Sequence, residues 1–358
     1  MCERLLAKRG AGDGSAADLL CLHFGVEYGI IGGMKILVVV VLSVIIGVNC
    51  FAAEVPRVIL DTDMATDIDD VGALVVLHAL ADEGKCEILA MGSSTRGNAS
   101  VAAAEVINGL AGREVPIGGY RPVRKEGEKK CRVDDGCRAE ILGLVNRYSF
   151  YVKHRNADEA ADAVGVYRKA LAGAADGSVT FICIGYLSNV ARLLESAADG
   201  VSGLSGKELV KRKVKSFYVM GCTREDGGSE WNVRGDVGAA KFVFEEAGVP
   251  IVFSDFELGK DILTGEGVGG IVGEVYPKGH RHASWDPVTV VAAICPKYFE
   301  VERGRYKIIK EDGSNIWIAD EKARGGRLKV KGEIRDMVGI INRLMGKARG
   351  SAQRGSQD

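Results

Sequence analysis

Residues 55–80 read VPRVILDTDMATDIDDVGALVVLHAL, and the fold is decided here. Val58, Ile59 and Leu60 form a short apolar run of the kind that fills a buried strand. Five carboxylates follow within ten residues: Asp61, Asp63, Asp67, Asp69 and Asp70. Val71, Leu74, Val75, Leu77, His78 and Ala81 then recur at helical spacing. Strand, carboxylate loop and helix in succession open a βαβ unit, and open α/β sheets bind ligands beyond the carboxyl ends of their strands. Carboxylates crowded at such an edge raise one another's pKa values, and a divalent cation is the usual remedy. The local donors are oxygens, with no Cys or His among them, which favours Ca²⁺ or Mg²⁺ over Zn²⁺. A solvated acidic loop capping the helix is the plainer alternative, but capping explains one or two aspartates and not the set.

Outward from this stretch, the 358 residues are 47% hydrophobic, enough for one large core or two modest ones. A formal net charge of -1 supplies no basic field, so nucleic acid is not an expected partner. The leader reads as foreign to the fold. Met34 and Lys35 precede the apolar run ILVVVVLSVIIGV (36–48) and then NCFAA (49–53), the three parts of a secretory signal peptide cleaved near Ala52 or Ala53. The run is shorter than the roughly 20 residues of a spanning helix, although a retained anchor is the alternative. Export to the periplasm or medium is therefore expected, with no membrane association after cleavage, and residues 1–33 are expected to be a spurious or disordered extension. Cys131 and Cys137 stand in a polar segment where an oxidising compartment permits a disulfide. Cys183, Cys222 and Cys295 fall in or beside apolar runs and read as small core residues.

Downstream, residues 86–91 read as a strand entering GSSTRGN (92–98), and 99–111 as a helix. Asn98 stands at their junction, where helix capping is the default role. A third strand is expected at 115–117, then a long polar excursion over 121–157 with a helix near 139–150. A helix over 158–174 precedes a strand at 179–184, the turn GYLSN (185–189) and a helix at 190–197. A central strand at 215–220 ends in GCTREDGGSEWNVRGDVGAA (221–240). There Glu230 and Asn232, two apart in an extended loop, point the same way and can grip adjacent hydroxyls. An ordinary capped loop before a helix at 237–247 is the alternative. After a strand at 250–253, HRHASWDP (280–287) leads into an apolar helix at 288–294, with Asp286 as N-cap and Pro287 at the first helical position. Residues 306–309, 316–319 and 327–330 alternate like strands around Asp312 and Gly313. An amphipathic helix over 332–347 and a polar tail over 348–358 complete the chain.

The segment ILDTDMATDIDDVGAL (59–74) resembles the amino-terminal signature of the nucleoside hydrolases, in the longer form of the bacterial exported, inosine-uridine preferring-like branch. GYLSN resembles the family's GPLTN turn, and Glu230, Trp231 and Asn232 resemble its E-x-N segment. The resemblance covers most of residues 55–300 with its motifs in order. It implies an α/β fold with a mostly parallel open sheet flanked by helices, a C-terminal β-hairpin and helix, and a single catalytic domain over 54–347. It implies hydrolysis of the N-glycosidic bond of a nucleoside or related N-riboside, and a homo-oligomer. By the same resemblance Ca²⁺ is held by Asp63, Asp70, Asp286 and the backbone carbonyl of Ile184, with Asp63 as general base. Asp69, Asn98, Glu230 and Asn232 would grip the ribose. Three departures stand out. Asp67 and Ile68 look like an insertion, the family's further Asn has no match near Arg224 or Asp226, and Trp285 occupies the place of a His that assists the leaving base. His282 is the substitute acid, or Trp285 stacks on the leaving group instead.

Two other classes fit part of this pattern. A phosphatase of the haloacid dehalogenase type also begins with DxD after a buried strand, but wants Thr or Val where Ala65 stands. A degenerate relative that binds a riboside without turnover fits the loss of the His.

Overall fold

The computed structural model describes residues 55–96, 99–122 and 137–347, with the backbone of Gly29–Ile31 and Met34–Ile36. Met1–Glu54 is a separate unit, of which only that antiparallel strand pair is described. The expected signal peptide beyond Ile36, Asn98, Cys131 and the tail from 348 all lie outside the described residues. No helix among the described residues is long and apolar enough to cross a membrane.

From Val55 onward the chain builds a ten-stranded sheet. Strands β1 (Arg57–Thr62), β2 (Glu87–Ser93), β3 (Ile117–Gly119) and β4 (Ala161–Asp162) run outward in parallel from the centre. The chain then returns to the other side of β1 with β5 (Val179–Cys183), β6 (Val214–Met220) and β7 (Ile251–Ser254), also parallel. This reversal between β1 and β5 is a topological switch point, where the strand ends leave a crevice. The central strands are buried on both faces, as all-parallel pairing requires. Side chains alternate accordingly: Val58 and Leu60 enter one core with Ile182, while Ile59 enters the other with Phe181 and Cys183.

Helices cover both faces. On the first lie α1 (Asp69–Asp82), α2 (Ser100–Leu110), α11 (Trp285–Ile294) and α12 (Ile334–Met345); on the second, α4 (Ala163–Ala172), α5 (Ser188–Glu195), α6 (Gly206–Lys213) and α8 (Val237–Glu246). Between them in the chain fall α3 (Ala139–Arg147), α7 (Trp231–Gly235), α9 (Phe256–Gly259) and α10 (Gly270–Val275). A small antiparallel pair is formed by β8 (Leu263–Thr264) and β9 (His282–Ala283).

The C-terminal hairpin forms as expected between β10 (Phe299–Ile308) and β11 (Asn315–Ala319), with Gly313 at φ +83° in its turn. It is not a free appendage. The next strand, β12 (Gly326–Val330), pairs antiparallel with β10 and parallel with β7, and so joins the hairpin to the main sheet. The helix expected over 158–174 begins only at Ala163, because the Asp162 carboxylate accepts the Val164 N–H and caps it there. Cys86, Cys183, Cys222 and Cys295 are buried free thiols, in keeping with core roles for the last three.

Candidate active site

The cavity of about 570 Å³ at the switch point is floored by the acidic loop between β1 and α1. Its size is that of an ordinary small-molecule site. Asp63 leaves the end of β1, and the Thr66 hydroxyl donates to its Oδ2 at 2.9 Å. Asp69 and Asp70 occupy the first turn of α1, where the helix dipole favours negative charge. The Thr62 hydroxyl donates to Asp70 Oδ1. Ala65, between them, is held at φ +90°, a strained position for a residue with a Cβ.

Asp286 arrives from the far end of the sequence because α11 packs along α1. At Gly72 on α1 a Cβ would stand 2.4 Å from Tyr276 Oη, 2.5 Å from Met345 Cε and 3.3 Å from Pro287 Cγ, so this face of the helix is closely covered. Asp286 is not the N-cap that its position before Pro287 suggests. Ser284 occupies that place, and the helix begins two residues earlier than expected, at Trp285. Asp286 therefore sits inside the first turn, its N–H donating to Asp69 Oδ2 at 3.1 Å. Oxygens of Asp69, Asp70 and Asp286 lie within 4.8 Å of one another, all buried, and form a candidate metal site.

Burial pushes these acids up. Asp63 rises to about 8 and Asp69 to about 7, chiefly by loss of water and then by neighbouring carboxylates. Asp70 and Asp286 are raised well above the usual range for the same two reasons. Such a set binds protons or a cation, and its all-oxygen chemistry fits a hard divalent ion. Asp61 does not face the cavity. It is raised to about 7 by burial, and its carboxylate accepts from Tyr167 and from Asn189 of the GYLSN turn, tying β1 to the following layer.

Ile184 follows β5 and lines the same cavity. Gly185 beside it allows the two strand ends to meet, since a Cβ there would stand 2.3 Å from the Asp63 nitrogen. The Ile184 carbonyl accepts from Asn232 Nδ2 at 3.2 Å, and its second lone pair remains for another partner. Glu230 and Asn232 both line the cavity, but not as neighbours in an extended loop. Glu230 is the N-cap of α7, and its carboxylate accepts the N–H groups of Asn232 and Val233. Its pKa is pushed to about 7 by burial, against those hydrogen bonds. Asn232 spends its amide hydrogens on the Ile184 and Met220 carbonyls, bonds that leave its acceptor oxygen unused.

The other end of the cavity is aromatic. Trp285 stacks on Phe256 with ring centroids 5.3 Å apart and planes 24° from parallel, and its Nε1 donates to the Phe256 carbonyl at 2.9 Å. Trp231 completes the wall. His282 does not line the cavity. Its Nε2 lies 3.2 Å from Asp67 Oδ1, and its ring meets Trp285 and Tyr276 edge-on. Burial works to lower this histidine, but the Asp67 carboxylate outweighs it and raises the pKa. His282 is thus placed beside the cavity wall, its ring nitrogen grouped with carboxylate oxygens of Asp67 and Asp69, and the inserted Asp67 gains a partner. Phe256, Glu257 and Thr223 were not anticipated. The available signal was their position just beyond the carboxyl ends of β6 and β7.

The acidic floor and the aromatic mouth share one cavity at the switch point of a parallel sheet. The sequence profile of the inosine-uridine preferring nucleoside hydrolases matches residues 58–333, and the chain belongs to that family. No curated protein matches the sequence. Among solved structures, the inosine-uridine preferring nucleoside hydrolase from Bacillus anthracis is 16% identical, with a TM-score of 0.59 over 81% of this chain and 99% of its own. The purine-preferring ribonucleoside hydrolase from Gardnerella vaginalis is 17% identical, with a TM-score of 0.59 over 81% and 98%. The type III effector protein XopQ, complexed with adenosine diphosphate ribose, is 16% identical, with a TM-score of 0.62 over 82% and 94%. These likenesses establish the fold, and with the family they remove the phosphatase alternative.

Proposed function

We propose that the protein is a calcium-dependent hydrolase of the N-glycosidic bond in ribonucleosides or related N-ribosides. One observation carries the reading: Asp63, Asp69 and Asp70 from near the start of the fold meet Asp286 from near its end on one cavity floor. Asp63, Asp70, Asp286 and the Ile184 carbonyl are the groups that would hold the ion. Calcium held there would supply a water of lowered pKa and a positive charge. Asp63 accepts a proton from the attacking water. Asp69, Glu230 and Asn232 hold ribose hydroxyls, and Asn98 shares that task. As the bond from C1′ to the base lengthens, the flanking carboxylates stabilise positive charge on the ribose ring. Trp285, Phe256 and Trp231 receive the base. Export by the leader at 34–53 and assembly into a homo-oligomer belong to the same reading.

The test is release of reducing sugar from a panel of inosine, uridine, adenosine, guanosine, cytidine and nicotinamide riboside. Release that stops with chelator and returns with calcium is the expected result. A second reading, a riboside-binding protein without turnover, is favoured by the engaged Nε1 of Trp285 and the withdrawn His282. It predicts nucleoside binding by calorimetry and no sugar. A purified protein with no affinity for calcium would sink both.

A further inference from the structure

The loop between β6 and α7 brings Thr223, Glu225, Gly228 and Ser229 to the cavity wall without any helix or strand of its own. Its shape is imposed by the C-terminal hairpin, through a residue 92 positions from Thr223 in the chain. That residue is Asn315, the first of β11, which is fully buried and lies outside the cavity lining. Its carboxamide clasps both backbone groups of Thr223. Oδ1 accepts the Thr223 N–H at 3.1 Å, and Nδ2 donates to the Thr223 carbonyl at 2.8 Å. Its own backbone takes the far side of the loop, the N–H donating to the Gly228 carbonyl at 2.9 Å and the carbonyl accepting the Gly227 N–H at 2.8 Å. Only a carboxamide offers a donor and an acceptor side by side in this shape; Asp brings acceptors alone, and Leu neither.

What the clasp holds is a strained turn. Cys222, immediately before Thr223, stands at φ +71°, a region that a residue with a Cβ rarely occupies. Such a conformation persists where its surroundings over-determine it. Here it aims two backbone groups at the site. The Cys222 carbonyl accepts the Phe256 N–H at 3.0 Å, and the Cys222 N–H favours the ionised form of the Glu230 carboxylate. That carboxylate is therefore gripped from two sides, by the start of its own helix and by the turn that Asn315 locks.

We propose that Asn315 is a positioning residue for the substrate site, locking the Cys222–Thr223 turn and thereby fixing the Glu230 carboxylate where a ribose hydroxyl meets it. This rests on the reading above that Glu230 holds the ribose, and it extends the site to a hairpin that never reaches the cavity floor.

The experiment measures KM and kcat for inosine and uridine on the full chain with calcium, or their Kd by calorimetry should the protein bind without turnover. Asn315→Ala should raise KM or Kd about fivefold, the scale of one net hydrogen bond, with kcat within about twofold and calcium affinity unchanged. Asn315→Asp keeps the shape and the contact to the Thr223 N–H; it should give a smaller rise, and it serves if the first variant fails to fold. A residue that merely supports the fold would act equally in any background. Instead, the effect of Asn315→Ala should shrink below about twofold once Glu230→Gln is present, because both changes act through one carboxylate. Effects that multiply in the double variant, a lost calcium affinity, or nucleoside affinity unmoved by either Asn315 variant overturns the proposal while the hydrolase reading stands. A wild type that neither cleaves nor binds a nucleoside overturns both.

Discussion

The two ends of the cavity are built on opposite plans. The floor is a buried set of acids, Asp63, Asp69, Asp70 and Asp286, that have surrendered their water and been pushed up in pKa. The mouth is a partly exposed aromatic wall whose polar hydrogens are already spent within the protein. Under the proposed function the floor would hold the ribose and the mouth would select the ring. That reading would assign electrostatic work to the dry end and discrimination to the wet end.

The largest effect should follow from the floor. Asp63→Asn should lower kcat for every substrate by about 10³-fold with the thermal midpoint of the metal-free protein unchanged or raised, since it removes a base but also a buried acid crowded by other carboxylates. A loss confined to some substrates would break the division between floor and mouth. Calcium comes next. At 100 times its Kd the ion should stabilise the fold by about 2.7 kcal/mol, read as a rise in thermal midpoint that chelator reverses. The mutant Asp286→Asn should lose most of that rise.

The same helix provides a contrast within the buried ionisable groups. His78 lies two turns beyond Asp70 on α1, with Nε2 against Asn108 Oδ1 at 2.7 Å, and burial lowers its pKa to about 4. Its folded pKa lies below the unfolded value, so its neutral form adds no penalty above pH 6.5, and stability is lost as pH falls from there toward 4. Wild type should therefore lose about 2 kcal/mol relative to His78→Gln between pH 7.5 and 4.5, measured by urea unfolding. No pH-dependent difference between the two would mean that His78 is not held neutral. The smallest effect belongs to the mouth: Trp285→Ala removes one stacking partner and should raise KM about fivefold, with little change in kcat. An equal fall in kcat would place Trp285 in the chemistry and erase the contrast.

How far each end could be read from the chain follows from how it is assembled. Asp63, Asp69 and Asp70 are contiguous with the strand and helix that carry them, so local pattern alone placed them at a strand end. Glu230 and Asn232 were found by resemblance, but the extended loop expected there is a helix start, because the Glu230 carboxylate captures two N–H groups of its own turn. His282 could be named from its chemistry, but its pairing with Asp67 beside Trp285 exists only in the folded chain. Phe256 and Glu257 carried no motif, being ordinary residues made important by where β7 ends.

The sequence by itself determined the parallel α/β class, through runs of apolar residues buried on two faces, and the oxygen-only acidic loop. Only the tertiary structure decided that Asp286 joins that loop, since the meeting depends on α11 packing along α1. It also decided which polar hydrogens remain free. Periodicity and charge are local and survive in one dimension, whereas close approach and the direction of a hydrogen bond exist only once distant segments share a surface.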